Sequence, residues 1–276
     1  TESADCFVHL EQSGSRAWVE RAPLLASPKP VLDKLCMKGF VLGSAKNKRE
    51  LLEKLAALSN FAPGYVIKHP GWHQLDRSSV YVRPDGTLLG DFGNSPHALM
   101  FETTSHAQSS GKRKEWARGV FPLMKKHPML MFLLVSVCAA PVLNLLPRST
   151  KPLIIEIVGG SQAGKTILAN ILASVFGKPE DICHSAPITQ KGLDYLKKRA
   201  THGLLVLDNS ERLPNGILND LRLIDDLSED DRFGANNVGL GTVIITSTKP
   251  LMDYAPSDPR LAKRVSSNFI SLKLEK

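Results

Sequence analysis

The chain has 276 residues, long enough for one large core or two smaller ones, with a formal net charge of +8 and a pI near 9.3 that favour an anionic partner such as nucleic acid. Cys6, Cys36, Cys138 and Cys183 are scattered, without a Cys-x-x-Cys pair or a histidine at zinc spacing, which argues against a structural metal and for a reducing, cytoplasmic compartment. Thr1-Glu2-Ser3-Ala4-Asp5 is acidic and has no apolar stretch, so no signal peptide is expected, and the missing Met suggests a processed or excised piece.

Residues 1–105 read as a small α+β module. Pro30 to Met37 and Lys48 to Leu58 have helical character, the second with Leu51, Leu52, Leu55 and Leu58 at helical spacing. Tyr65-Val66-Ile67-Lys68, Gly71-Trp72-His73, Val80-Tyr81-Val82-Arg83 and Thr87-Leu88-Leu89, with a turn at Pro84-Asp85-Gly86, predict a small meander or hairpin. Trp72 and His73 fit an aromatic anchor in that sheet better than a binding site.

Residues 102–111 are small and polar and read as a linker. A basic helix follows. Lys112, Arg113, Lys114, Arg118, Lys125 and Lys126 make it a candidate for nucleic-acid phosphates, the alternative being a solvated face. Residues 129–147 carry no charge and approach the length of a membrane span, but Pro141, Asn144 and several small residues favour a buried helix. No membrane partner is expected.

The most specific signal comes next. Leu153-Ile154-Ile155-Glu156-Ile157-Val158 reads as a strand, and it runs into Gly159-Gly160-Ser161-Gln162-Ala163-Gly164-Lys165-Thr166, the G-x-x-x-x-G-K-[ST] pattern of a P-loop. A helical stretch, Ile167 to Ala173, completes the strand, loop and helix in the order required. Backbone N–H groups of such a loop surround phosphate oxygens, with the helix N-terminus adding positive potential. Lys165 is the cation for the β- and γ-phosphates of ATP, and the Thr166 hydroxyl is a ligand for Mg²⁺.

Thr189 to Thr201 predicts a helix ending in Lys197-Lys198-Arg199, where cations suit the helix dipole. Gly203-Leu204-Leu205-Val206-Leu207-Asp208 reads as a strand buried on both faces, and it puts Asp208 at the carboxyl end, where open α/β sheets bind ligands. Asp208 is the expected second metal-side residue. Asn209 follows, where many such ATPases carry a Glu that polarises the attacking water. An amide cannot take up a proton, so Glu211 swings in, Asn209 only orients the water, or hydrolysis is slow. Gly241 to Pro250 predicts another buried strand, lying between those of the P-loop and Asp208 and ending in hydroxyls. Thr246, Ser247 and Thr248 are candidates to bond the γ-phosphate or the attacking water.

Gly71-Trp72-His73, Pro84-Asp85-Gly86, His127-Pro128-Met129, the P-loop, Thr189-Gln190-Lys191-Gly192-Leu193-Asp194 and the Asp208 strand stand in an order that resembles the P-loop ATPase family known as domain of unknown function 927, found in mobile genetic elements. The likeness covers roughly residues 60 to 275. It implies an α/β, AAA+-like P-loop core close to the MCM group, with a parallel sheet flanked by helices over residues 112–276, hydrolysing ATP with Mg²⁺ and translocating on single-stranded or forked DNA as a hexameric ring. It also implies that Arg232 is a basic loop residue facing DNA, that Arg260 or Arg264 is an arginine finger, and that the usual helical lid is absent or truncated. A slow nucleotide switch and a small-molecule P-loop kinase are the competing readings.

Overall fold

Apolar, β-branched runs bury both faces only inside a helix-covered parallel sheet, and the second half of this chain supplies several. The computed structural model describes residues 6–61, 64–67, 69–75, 78–84, 86–90, 98–101, 111–146, 152–185, 188–209, 239–250, 253 and 269–274. In chain order these form β1 (Phe7–Gln12), β2 (Ser15–Glu20), α1 (Arg21–Ala26), α2 (Pro28–Met37), α3 (Ala45–Ala56), β3 (Gly64–Ile67), β4 (Gly71–Leu75), β5 (Ser78–Val82), β6 (Leu88–Leu89) and β7 (Ala98–Phe101). Then come α4 (Arg113–Lys126), α5 (Pro128–Leu143), β8 (Leu153–Val158), α6 (Lys165–Ala173), α7 (Pro179–Ile182), β9 (Cys183–Ser185), α8 (Gln190–Arg199), β10 (Leu204–Asp208), β11 (Thr242–Ser247) and β12 (Phe269–Lys273).

The chain divides into two compact units, residues 1–67 with 94–102, and residues 68–93 with 103–276. In the first, β1 and β2 form an antiparallel hairpin through Ser13 and Gly14. Both have positive φ, 48° and 86°, as a two-residue turn matching strand twist requires. Val8, Val19, Leu24, Leu35, Phe40 and Leu55 build a small core beneath α1–α3. Arg21 donates to the carbonyls of Leu55 (3.3 Å) and Ala56 (2.7 Å), satisfying the carboxyl end of α3.

The expected meander is shorter than its sequence pattern. β4, β5 and β6 pair antiparallel in the second unit, whereas β3 pairs in parallel with β7 in the first. Pro70, which has no N–H to donate, lies between β3 and β4, and β4 opens on Gly71 at φ +112°.

The second unit is built on a five-stranded parallel sheet in the order β12-β8-β11-β10-β9. One face, with Ile155, Ile157, Leu204, Val206 and Ile244, packs against α5 and α6 through Leu133, Leu134, Val137, Ala169, Leu172 and Ala173. Fully burying each such Leu, Ile or Val contributes about 1.5–3 kcal/mol, which makes this the unit's main store of stability. Gly241 lets α5 approach β11, because a Cβ there would lie 2.3 Å from the Ala140 carbonyl oxygen. Trp116 of α4 is pinned by a 2.8 Å bond to Ser174 Oγ, just beyond α6.

Residues 129–147 were expected to form a buried helix. α5 is apolar all round, yet only one stripe is covered, and Met131, Val135 and Val142 on its outer side are exposed. Among the described residues no helix is long and apolar enough to cross a membrane.

Candidate nucleotide site

The parallel sheet brings the carboxyl ends of β8, β11 and β10 side by side, with β11 between the P-loop strand and the Asp208 strand as the sequence predicts. The loop after β8 turns through Gln162 at φ 63° and Gly164 at φ 85°. Gly164 is the N-cap of α6; a Cβ there would meet no neighbour, so the left-handed backbone, rather than space, calls for glycine. The amides of α6's first turn therefore face the loop's hollow, where an anion is favoured.

Lys165 is 93% buried, its relative exposure being 7%, and its Nζ donates to the carbonyls of Gly159 (2.8 Å) and Gly160 (3.0 Å). The ammonium is thus folded back over the loop's own backbone. Thr166, the next residue, is exposed and donates from Oγ1 to Asp208 Oδ2 at 2.9 Å. Residues 42 positions apart meet because α6 follows β8 on the face that β10 shares.

Asp208 is 2% exposed and takes two further bonds. Thr246 Oγ1 donates to its Oδ1 at 2.5 Å, and Asn209 Nδ2 donates to its Oδ2 at 3.2 Å. Asn209 has a left-handed backbone, φ 55°, a conformation that Asn tolerates better than most residues, and its N–H donates to Thr246 Oγ1 at 2.9 Å. The Asn209 carboxamide is therefore turned onto Asp208. Hydroxyl and carboxylate oxygens gathered this way are the hard donors that Mg²⁺ takes, so Thr166 and Asp208 fit a metal held beside a phosphate chain.

Strand alternation separates the three hydroxyl candidates. Thr246 is paired with Ile157 and faces Asp208, whereas Ser247 is paired with Val158 and donates to Glu156 Oε1 at 2.8 Å. Thr248 lies beyond the strand, exposed. Lys112, Arg113 and Lys114 stand exposed at the start of α4, with Lys112 3.9 Å from Glu115, a surface pair of little energetic weight. Glu211, Arg232, Arg260 and Arg264 lie outside the described residues.

Two features escaped the sequence reading. Glu156, fully buried in mid-strand β8, accepts from Ser247 of β11 and from Ser271 of β12, each at 2.8 Å, and so ties three strands beneath the P-loop. A lone carboxylate in an otherwise apolar strand was the available signal. The second is a cluster at the start of β10. Trp72 N–H donates to His202 Nδ1 (2.9 Å), Trp72 Nε1 donates to the Pro141 carbonyl (2.8 Å), and Tyr81 hydroxyl donates to the His202 carbonyl (3.3 Å). A small cavity lined by Tyr81, Phe176, His184, Arg199 and Leu204 is near that end of β10 and includes no P-loop residue.

Cys183 lies on β9 beside β10. Burial first, and the Asp208 carboxylate second, push its thiol up to about 11. It is a neutral thiol at physiological pH.

Residues 5–218 match the family described as Domain of unknown function (DUF927). Among solved structures the chain is similar to one titled SCCmec type IV Cch, active helicase, with a TM-score of 0.77 at 16% identity over 96% of this chain and 50% of that one. The chain therefore spans about half the length of that helicase chain. Domain III of the Thermotoga maritima replication initiation protein DnaA aligns at 19% identity and TM-score 0.28, over 51% of this chain and 61% of that one. Cdc6p from Pyrobaculum aerophilum aligns at 15% and 0.32, over 61% and 47%. No curated protein matches the chain. The parallel sheet, its flanking helices and the P-loop between β8 and α6 make this an α/β P-loop NTPase fold.

Proposed function

Because the chain belongs to the DUF927 family, we propose that its second unit is an ATP-hydrolysing P-loop motor domain, helicase-like and close to the MCM group, that acts on DNA in the replication or maintenance of a mobile element. The observation that carries this reading is the 2.9 Å bond from the P-loop hydroxyl of Thr166 to Asp208 at the tip of β10, with the Thr246 hydroxyl on the same carboxylate. Likeness in fold to a helicase over nearly the whole chain supports the DNA-directed part, as does the basic surplus.

ATP is the substrate. The loop from Gly159 to Thr166 would bind its phosphates through backbone N–H groups, and Lys165 would exchange the Gly159 and Gly160 carbonyls for phosphate oxygens. Thr166 and Asp208 would hold Mg²⁺, which when bound supplies charge neutralisation to the phosphates. Arg260 or Arg264 is proposed to reach a neighbouring subunit's site in a ring, and Arg232 with Lys112, Arg113 and Lys114 to contact DNA. A module over residues 1–105 and a core over 112–276 are the proposed division of labour, the core sharing its compact unit with residues 68–93, in a cytoplasmic setting.

Asn209 favours a second reading, a slow nucleotide switch, because its carboxamide is bonded to Asp208 and no proton acceptor stands in its place. Steady-state ATPase with and without single-stranded DNA, on wild type and Lys165→Ala, tests the motor. We expect DNA-stimulated turnover that Lys165→Ala lowers by about 10²–10³-fold, the scale for removing one transition-state donor. ATP binding without DNA-stimulated turnover would replace the motor by the switch.

A further inference from the structure

Thr246 has no exposed surface, and its one hydroxyl makes two bonds. Asp208 as a carboxylate has no proton to give, so the Thr246 proton goes to Asp208 Oδ1, and a lone pair on the same oxygen accepts the Asn209 N–H. Asp208 Oδ2 takes Thr166 and the Asn209 carboxamide. Among the described side chains on this carboxylate only Thr166 belongs to the P-loop, and it alone is exposed. With its proton committed to Asp208, one lone pair taken by the Asn209 N–H and no exposed surface, Thr246 has no proton left to donate to a γ-phosphate.

We propose, resting on the nucleotide site described above, that Thr246 is a positioning residue for the metal: its hydroxyl fixes the Asp208 carboxylate and the left-handed Asn209 backbone, so that the carboxylate keeps its place when Thr166 leaves it for Mg²⁺. Without that hydroxyl the carboxylate turns more freely and the half-buried Asn209 N–H loses its acceptor. The phosphate cradle is made of other groups, the loop backbone and Lys165. Metal affinity and phosphate affinity should therefore separate.

The experiment uses the whole chain with Thr246→Val, Thr246→Ala and Thr246→Ser. A fluorescent ADP analogue is titrated first in chelator, then with Mg²⁺, and Mn²⁺ binding in the presence of ADP is followed by electron paramagnetic resonance. Loss of a group that orients a metal ligand lowers metal affinity by about 10–100-fold, so the Val and Ala variants should need at least ten times more Mn²⁺, with the analogue's affinity in chelator unchanged. Thr246→Ser restores the hydroxyl and should behave as wild type. The proposal is overturned if either hydroxyl-free variant, folded by circular dichroism, binds Mn²⁺ as wild type does, or if it loses the analogue equally in chelator. Wild type that takes up no analogue under either condition would remove the nucleotide site itself, and the proposal with it.

Discussion

Two polar clusters bracket β10. At its carboxyl end Asp208 gathers the hydroxyls of Thr166 and Thr246 and the amide of Asn209; just before its start His202 gathers Trp72 and Tyr81. The first is charged and ends in the exposed Thr166, whose hydroxyl rotates at small cost, so that its bond can be exchanged for a ligand's. The second is uncharged and built from rings and backbone groups. Trp72 donates to His202 Nδ1, which therefore carries no proton, and burial holds nearby His73 below its ordinary value. Gly71 completes it, since a Cβ there would lie 2.6 Å from His202 Nδ1. Exchangeable partners suit a site, and rigid ones suit a clasp between a small sheet and a large one.

The comparison is sharpened most by changing the exchangeable end. Asn209→Glu supplies a proton acceptor beside Asp208, and a positioned general base contributes about 10²–10⁴-fold, so turnover should rise at least a hundredfold in a steady-state ATPase assay. Unchanged turnover would mean that the base is not what limits the site. An intermediate effect is expected at Cys183. With its thiol at about 11 against an ordinary 9.0, iodoacetamide should alkylate it about tenfold more slowly than an exposed thiol at pH 8, the rate climbing as pH rises toward 11. Asp208→Asn should quicken that reaction slightly, because the carboxylate charge is the lesser cause; a thiol that titrates near 9 would deny that the site's charge reaches β9. The smallest effect belongs to the clasp. Trp72→Phe deletes the bond to the Pro141 carbonyl and should cost about 1 kcal/mol in denaturant unfolding, leaving nucleotide affinity untouched. A shift in nucleotide affinity would end the separation of the two clusters.

Local chemistry made part of this legible. The P-loop is a run of consecutive residues, and an apolar strand that ends in an Asp announces itself, so β8, α6 and β10 stand where periodicity put them. α2, α3 and α8 differ from their predicted bounds by three residues or fewer, and the side chains of Ser44 and Thr189 set the starts of α3 and α8. The hairpin β1–β2 was missed, although Ser13-Gly14 between strand-like runs was its signal. The parallel pairing of β3 with β7 has no short-range signature at all.

The sequence alone determined that a phosphate-binding loop precedes a helix and that an aspartate ends a buried strand, because glycine conformation, helix dipole and strand hydrophobicity act between near neighbours. Only the tertiary structure decided that Thr246 and not Ser247 faces Asp208, that Glu156 ties Ser247 from 91 residues away, and that Trp72 finds its acceptor on His202 across 130. Those choices follow from sheet order and register, and a one-residue change of register would exchange the two faces of a strand.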